Sequence, residues 1–181
     1  MIFMCMIFLT SCANFLYPPD TSYKYKIELL DSTLIAKGDT SLFFKDDKIS
    51  IAFALGKSAI YLKMINQTKE PLKIIWDNVS IVQYNNANKV MHSGVKYTDA
   101  NSSQPPTLIP PNAIISDQII PSNNIRYVQG YYSQYSSISP RWDEGRLFTI
   151  DGSDKGQIIS LFFPLEYKGV LKNYDFKFMV Y

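Results

Sequence analysis

The fold class follows from one segment, Ile60-Tyr-Leu-Lys-Met-Ile-Asn66, then Gln67-Thr-Lys-Glu-Pro71, then Leu72-Lys-Ile-Ile-Trp76. Apolar side chains recur at every second position on both sides of its centre, as on one face of a β-strand. The central residues are polar and end in proline, which is typical of a turn. We therefore predict a β-hairpin over residues 60–84 whose inner face is a wall of the core.

The alternation changes phase after Trp76. Apolar residues occupy even positions up to Trp76 and odd positions at Val79 and Ile81. A period of two changes phase only through an extra residue or a break. The pattern predicts a bulge at Asp77-Asn78.

The rest of the chain also favours strands. Tyr (13) and Phe (11) are abundant beside Gly (8), a bias toward β-structure. We predict a second hairpin from Ile158–Tyr167 and Asn173–Tyr181, joined by a turn at 168–172. Prolines bound two short strands near Leu108–Asn112 and Ile114–Pro121, which we place at a sheet edge. The predicted fold is all-β: a single-domain antiparallel β-sandwich over residues 23–181.

Charge argues against nucleic acid as a partner. The formal net charge is +2, and the lysines and arginines are scattered singly along the chain. Phosphate backbones are bound by clustered basic patches, so we expect no nucleic-acid binding.

A long loop is predicted over residues 129–156, where Tyr, Ser, Gly and Asp dominate. Its aromatic residues are the candidate binding residues, because aromatic rings give large contact area with few torsions. The alternative is that Tyr131 and Trp142 fold back and plug one end of the sandwich. The candidate binding residues are Tyr131, Tyr132, Tyr135 and Trp142.

Catalytic chemistry has little support in the sequence. His92 is the sole histidine, and its neighbour Ser93 would point to the opposite face of a strand, which disfavours a triad. One histidine without a free cysteine disfavours zinc, and the acidic turn near Asp151 lacks the calcium-loop spacing. We expect no catalytic residue, metal or cofactor. The alternative is a carboxylate-dependent envelope enzyme such as a glycosidase, which needs two acids facing each other across a cleft.

The N-terminus carries the strongest indication of cellular location. An apolar run over residues 1–9 is too short to span a bilayer and is followed by Leu9-Thr-Ser-Cys12. This segment resembles the lipobox of bacterial lipoproteins. The resemblance implies a signal peptide over residues 1–11, lipidation of Cys12 with palmitate among its chains, and a tether over 12–22. Ala13, in place of Asp, implies the outer membrane in a Gram-negative cell.

The remaining domain resembles small immunoglobulin-like β-sandwich domains of bacterial envelope lipoproteins. The resemblance rests on the lipobox, on Ile74-Ile-Trp-Asp77, and on Phe163-Pro-Leu-Glu-Tyr167 with Tyr174-Asp-Phe-Lys-Phe178. It implies an immunoglobulin-like architecture and a non-catalytic binding or assembly module. Such a module would be held at the membrane through Cys12 and would bind an envelope protein or glycan.

Overall fold

The computed structural model describes the backbone of residues 27–30, 38–39, 42–134, 136–148 and 153–180, with side chains from residue 42 onward. Within these ranges the regular structure is antiparallel β-sheet with short 3-10 turns at Trp76–Asn78, Tyr97–Asp99 and Ser122–Asn124. The strands are β1 Ile27–Leu30, β2 Gly38–Asp39, β3 Phe43–Lys45, β4 Ile49–Leu55, β5 Ile60–Asn66, β6 Leu72–Ile74, β7 Ser80–Gln83, β8 Asn86–His92, β9 Thr107–Ile109, β10 Ile114–Pro121, β11 Ile125–Val128, β12 Tyr131–Tyr132, β13 Ser137–Ile138, β14 Arg141–Glu144, β15 Ile158–Tyr167 and β16 Val170–Val180.

Two sheets form the body of the molecule. The first runs β2-β1-β16-β15, with β6 and β7 following one another along the free side of β15 and β9 beyond β6. The second runs β3-β4-β5-β10. Strand β8 joins them, because Asn86–Lys89 pair with β7 while Val90–His92 pair with β10.

The core lies between the two sheets. Phe53 of the second sheet meets Phe176 and Phe178 of the first edge-on, with ring centroids 4.8 and 5.2 Å apart. Edge-to-face packing is a preferred arrangement of aromatic rings in cores. The predicted antiparallel β-sandwich is confirmed, whereas its immunoglobulin-like character stays a prediction. In the residues that the structure covers, no helix is long and apolar enough to cross a membrane.

The central hairpin prediction is wrong in its pairing and right in its faces. Strand β5 pairs with β4 and β10, whereas β6 pairs with β15 and β9, so the turn at 67–71 carries the chain from one sheet to the other. Ile60, Leu62 and Met64 are nevertheless fully buried, as are Leu72 and Ile74. Both connections bury the same alternating residues, so the alternation cannot distinguish them.

Asn66 explains why the chain crosses between sheets here. Its side chain is fully buried, and its amide donates to the carbonyl oxygens of Glu70, Ile109 and Pro110 at 2.8, 3.0 and 3.1 Å. Its oxygen accepts hydrogen bonds from the amide and hydroxyl of Thr68. A buried amide must be satisfied, and here its partners lie in the turn and in the neighbouring β9–β10 connection.

The change of phase after Trp76 is confirmed, but it arises at a 3-10 turn rather than at a single-residue bulge. Ile74 lies opposite Leu165, and Ser80 lies opposite Phe162. The chain therefore advances six residues from Ile74 to Ser80 while the partner strand β15 advances three. Three extra residues, an odd number, exchange the two faces of a strand. The 3-10 turn also interrupts the ladder of backbone hydrogen bonds on the side of β15 that carries Pro164. Proline has no backbone N–H to donate, so it is tolerated at this interruption.

Two other predictions need correction. Strand β10 is interior, between β5 and β8, although its prolines favoured a sheet edge; Pro121 is its last residue, where the ladder ends. The segment predicted as a loop over 129–156 contains three strands, β12, β13 and β14. The C-terminal hairpin is confirmed, with the tighter two-residue turn Lys168-Gly169 at positive φ.

Candidate binding surface

A two-stranded β-arm leaves the sandwich directly after β10. Ile125 lies opposite Glu144 and Tyr132 opposite Ser137, so seven steps on one strand match seven on the other. The pairing therefore keeps a single register from β11 and β14 to β12 and β13. At the tip, the Ser133 amide donates to the Ser136 carbonyl at 2.8 Å and closes the turn. We call residues 125–134 and 136–144 the arm.

One face of the arm is aromatic. Tyr127 lies opposite Trp142 and Tyr131 opposite Ile138, and this spacing places all four side chains on the same side of the ribbon. The rings of Tyr127 and Trp142 are 5.3 Å apart. Their exposed fractions are 56% for Tyr127, 57% for Tyr131, 39% for Ile138 and 38% for Trp142. We call these four residues the aromatic face.

Polar contacts attach the base of the arm to the sandwich. Glu144 accepts hydrogen bonds from the hydroxyls of Ser58 and Tyr97, both at 2.5 Å. The bond to Glu144, aided by burial, raises the pKa of Tyr97 to about 12. The Tyr97 ring also lies 5.9 Å from Trp142. Tyr97 therefore supports the carboxylate at the base and the indole at the inner end of the aromatic face.

Gly130 is required where the two strands of the arm approach each other closely. A Cβ at this position would lie 2.7 Å from Cδ and 3.0 Å from N of Pro140. No side chain fits at that distance without displacement of the proline. The glycine thus lets the arm continue past Pro140 in an unbroken register.

The structure brings together most of the predicted binding residues. Tyr131, Tyr132 and Trp142 lie on the arm, with Tyr132 on the opposite side from the aromatic face and 73% exposed. Tyr135 and the predicted lipidation site Cys12 lie outside the described residues, as do the segments 1–11 and 12–22. The alternative plug is made by other residues: Leu147 and Phe148, just beyond the arm, are 1% and 2% exposed.

Two members of this surface are not among the predicted candidates: Tyr127, which stands just before the predicted loop, and Ile138. The signal for Ile138 was weak, since it stands alone among serines and Pro140. Only the pairing register places it beside Tyr131.

His92 is built into the core wall at the end of β8. Its ring stacks on Trp76 with centroids 4.2 Å apart and planes inclined by 6°. Its Nδ1 lies 3.3 Å from Oδ2 of Asp117, whose other oxygen accepts the Ser93 amide at 2.8 Å. Its Nε2 is buried and has no hydrogen-bond partner among the residues described. A general base must reach the proton that it abstracts, and a buried Nε2 does not meet that requirement.

Two of the acidic side chains that a glycosidase could pair, Asp77 and Asp143, are held in local hydrogen bonds. The pKa of Asp77 is lowered mainly by the Ser103 hydroxyl, and that of Asp143 mainly by the Arg141 guanidinium. A general acid needs the opposite shift. Glu144 serves the base of the arm, as described above. Among the described residues, no three His, Cys, Asp or Glu side chains are grouped to hold a metal ion.

Comparisons with protein-family models, with curated proteins and with solved structures find no match to this chain.

Proposed function

We propose that this chain is a non-catalytic lipoprotein of the bacterial cell envelope, at the outer membrane, in which a β-sandwich is tethered through a lipid on Cys12. The arm is its binding element, and its aromatic face is the surface that meets the partner. The sandwich serves as a rigid support, consistent with the immunoglobulin-like architecture that the resemblance implies. An envelope protein and an envelope glycan are the two partner classes that the sequence favours.

The exposure of the aromatic face carries this proposal. Tyr and Trp side chains in a folded domain are mostly buried, because they remove large apolar areas from water. Here Tyr127 and Tyr131 keep more than half of their surface in solvent, on a ribbon that projects from the core. Exposed aromatic residues are enriched among those that dominate binding energy at interfaces.

Two experiments test the two halves of the proposal. For the tether, cells expressing the wild type or Cys12→Ala are fed labelled palmitate and fractionated. We expect label and membrane association in the wild type alone. A wild-type chain that takes up no label and stays soluble would overturn the lipid anchor.

For the binding element, Tyr127, Tyr131 and Trp142 are changed together to Ser. Partner capture from detergent-solubilised membranes should be lost, while the melting temperature changes little because these side chains are exposed. The matched control is Leu108→Ser with Val170→Ser, two exposed aliphatic residues at 62% and 68% on other parts of the sandwich. A large fall in melting temperature for the arm variant, or unchanged capture, would contradict the assignment.

A further inference from the structure

We propose that the aromatic face of the arm docks on the interfacial layer of a lipid bilayer, between the headgroups and the acyl chains. This inference goes beyond the proposed function, because it assigns the aromatic face to the bilayer in place of an envelope protein or glycan, and it rests on the lipid tether of that function. Three observations carry it: the place where the chain enters the sandwich, the reach of the tether, and the distribution of exposed aromatic residues.

The chain enters the sandwich at the end that bears the arm. Ile27, the first residue of β1, lies opposite Val180, whose amide donates to the Gln157 carbonyl at 3.1 Å. Gln157 lines the same small cavity as Leu147, which follows the base of the arm at Glu144 by three residues. We call this the tether end. The turn at Lys168-Gly169 lies at the far end, beyond the ten residues of β15.

The dimensions allow the arm to lie between the sandwich and an anchoring membrane. From Cys12 to Ile27 there are fifteen residues, which span at most about 50 Å when fully extended. The arm strand from Ile125 to Tyr132 spans roughly 25 Å, which is within that reach. The far end is displaced from the tether end by a further ~33 Å, the length of β15. Both lengths are shorter than the reach of the tether, so the lengths permit the arm to meet the bilayer, and the tether end is the end of the sandwich nearer to a lipid on Cys12.

Exposed aromatic residues are confined to one end of this axis, where the aliphatic Ile138 and Ile158 are exposed beside them. In the described part of the chain, the exposed large aromatic side chains all lie at the tether end, either on the arm or at Tyr84. Tyr84 belongs to this end because it lines the same small cavity as Leu147. The exposed large hydrophobic residues of the far end are all aliphatic: Leu108, Ile114, Val170 and Leu171. Tyr and Trp concentrate at membrane–water interfaces because they combine an apolar ring with a polar edge.

Charge on the arm favours apolar docking over electrostatic attraction. Arg141 on the opposite side of the ribbon is paired with Asp143, with Nε and Oδ1 2.8 Å apart. Exposed ion pairs leave little net field for anionic headgroups. We therefore expect bilayer docking to depend weakly on salt and strongly on the aromatic residues.

The two tryptophans of the chain make a direct test possible. Full-length protein is reconstituted into vesicles of phosphatidylethanolamine and phosphatidylglycerol, with and without bromine on the acyl chains. Brominated lipid quenches an indole only at close contact. Trp76 is fully buried, so quenching should report Trp142. We expect clear quenching in the wild type and loss of most of it in Trp142→Phe.

The matched controls locate the contact on the molecule. Tyr127→Ser with Tyr131→Ser keeps both tryptophans and should reduce the quenching of Trp142. Leu108→Ser changes the far end and should leave quenching at the wild-type level. Vesicle-bound wild type that is quenched no more than Trp142→Phe would overturn the inference.

Other occupants of the aromatic face are also detectable. Soluble cell-wall glycan fragments, added without lipid, should leave Trp142 emission unchanged; a glycan response without bromolipid quenching would overturn the inference in favour of a glycan. Protection of the arm from quenching by a copurifying envelope protein would overturn it in favour of a protein partner.

Failure of the tether and failure of the docking surface give different results. Uptake of labelled palmitate without quenching of Trp142 would leave the lipid anchor in place and refute bilayer docking. Quenching of Trp142 in a chain that takes up no palmitate would refute the anchor and support the docking surface.

Discussion

Trp76→Ala should strongly destabilise the fold, because Trp76 joins three parts of the core. The side chain is fully buried, stacks on His92 at 4.2 Å and meets Phe163 edge-on at 6.1 Å. Its indole Nε1–H donates to the Thr107 hydroxyl at 2.8 Å. The alanine variant loses all of these contacts at once.

The expected loss is about 3–5 kcal/mol in the free energy of unfolding, the usual cost of truncating a buried Trp or Phe to Ala. That is a large part of the 5–15 kcal/mol or so that stabilises a typical domain. Trp76→Phe should cost less, since it keeps an aromatic ring and loses chiefly the bond to Thr107, worth roughly 1 kcal/mol. Trp142→Ala, on the exposed arm, should cost under about 1 kcal/mol.

Urea denaturation followed by far-UV circular dichroism measures all three variants without relying on tryptophan emission. We expect the midpoints to fall in the order wild type, Trp142→Ala, Trp76→Phe, Trp76→Ala, with similar slopes. Equal midpoints for Trp76→Ala and the wild type would show that Trp76 is not part of the core.

Three further changes test other parts of the molecule. Asn66→Ala should cost about 2–4 kcal/mol in urea denaturation, because five hydrogen bonds of a buried amide are lost. Burial raises the pKa of Asp46, but hydrogen bonds led by that from Lys172 outweigh it and hold the pKa below 3.8. A lowered pKa of Asp46 stabilises the fold at neutral pH, and this stabilisation is lost as the pH falls through that pKa. The difference in the free energy of unfolding between the wild type and Asp46→Asn should therefore shrink in acid. Gly130→Ala should reduce partner capture at nearly constant melting temperature, because its Cβ would collide with Pro140.

Matched variants separate these effects from nonspecific damage. Asn123→Ala removes one exposed hydrogen bond to Asn88 and should change stability by less than about 0.5 kcal/mol. Asp175→Asn breaks an exposed ion pair with Lys177 and should change stability by less than about 1 kcal/mol. Gly94→Ala strains a turn at positive φ, but its added Cβ would have no atom within 4 Å. This variant should therefore leave partner capture intact. These three variants are the controls for Asn66→Ala, Asp46→Asn and Gly130→Ala, in that order. A control with the same effect as the variant that it matches would contradict the structural reason given for that variant.

Alternation in the sequence was enough to predict the strands and their buried faces, as at Ile60, Leu62 and Met64. It did not predict which strand each would pair with. A hairpin and a crossing between sheets bury the same residues, and the difference lies in where the buried Asn66 amide finds its partners. Those partners include Ile109, more than forty positions along the chain, which no local pattern identifies.

The arm was predicted as a loop because its strands have no core side. Backbone hydrogen bonds pair the two strands irrespective of side chain, so Tyr131 and Ile138 can face each other in solvent. Without burial there is no selection for alternation, and serines and glycine stand where a core strand would have apolar residues. The aromatic residues were identified from composition, and their common face emerged only from the register.

The arm and the sandwich are separable in their energetics, and this is what makes the binding proposals testable. Leu147 and Phe148 lie in the core just past the arm, and Glu144 fixes its base through Ser58 and Tyr97. The raised pKa of Tyr97, about 12, keeps its hydroxyl protonated through neutral and moderately alkaline pH, and the contribution of this bond is lost only as the pH rises through that value. The aromatic face beyond this base contacts mainly itself and the Tyr97 ring. Removing the face should therefore abolish binding, whereas removing Glu144 should release the arm without unfolding the sheets that support it.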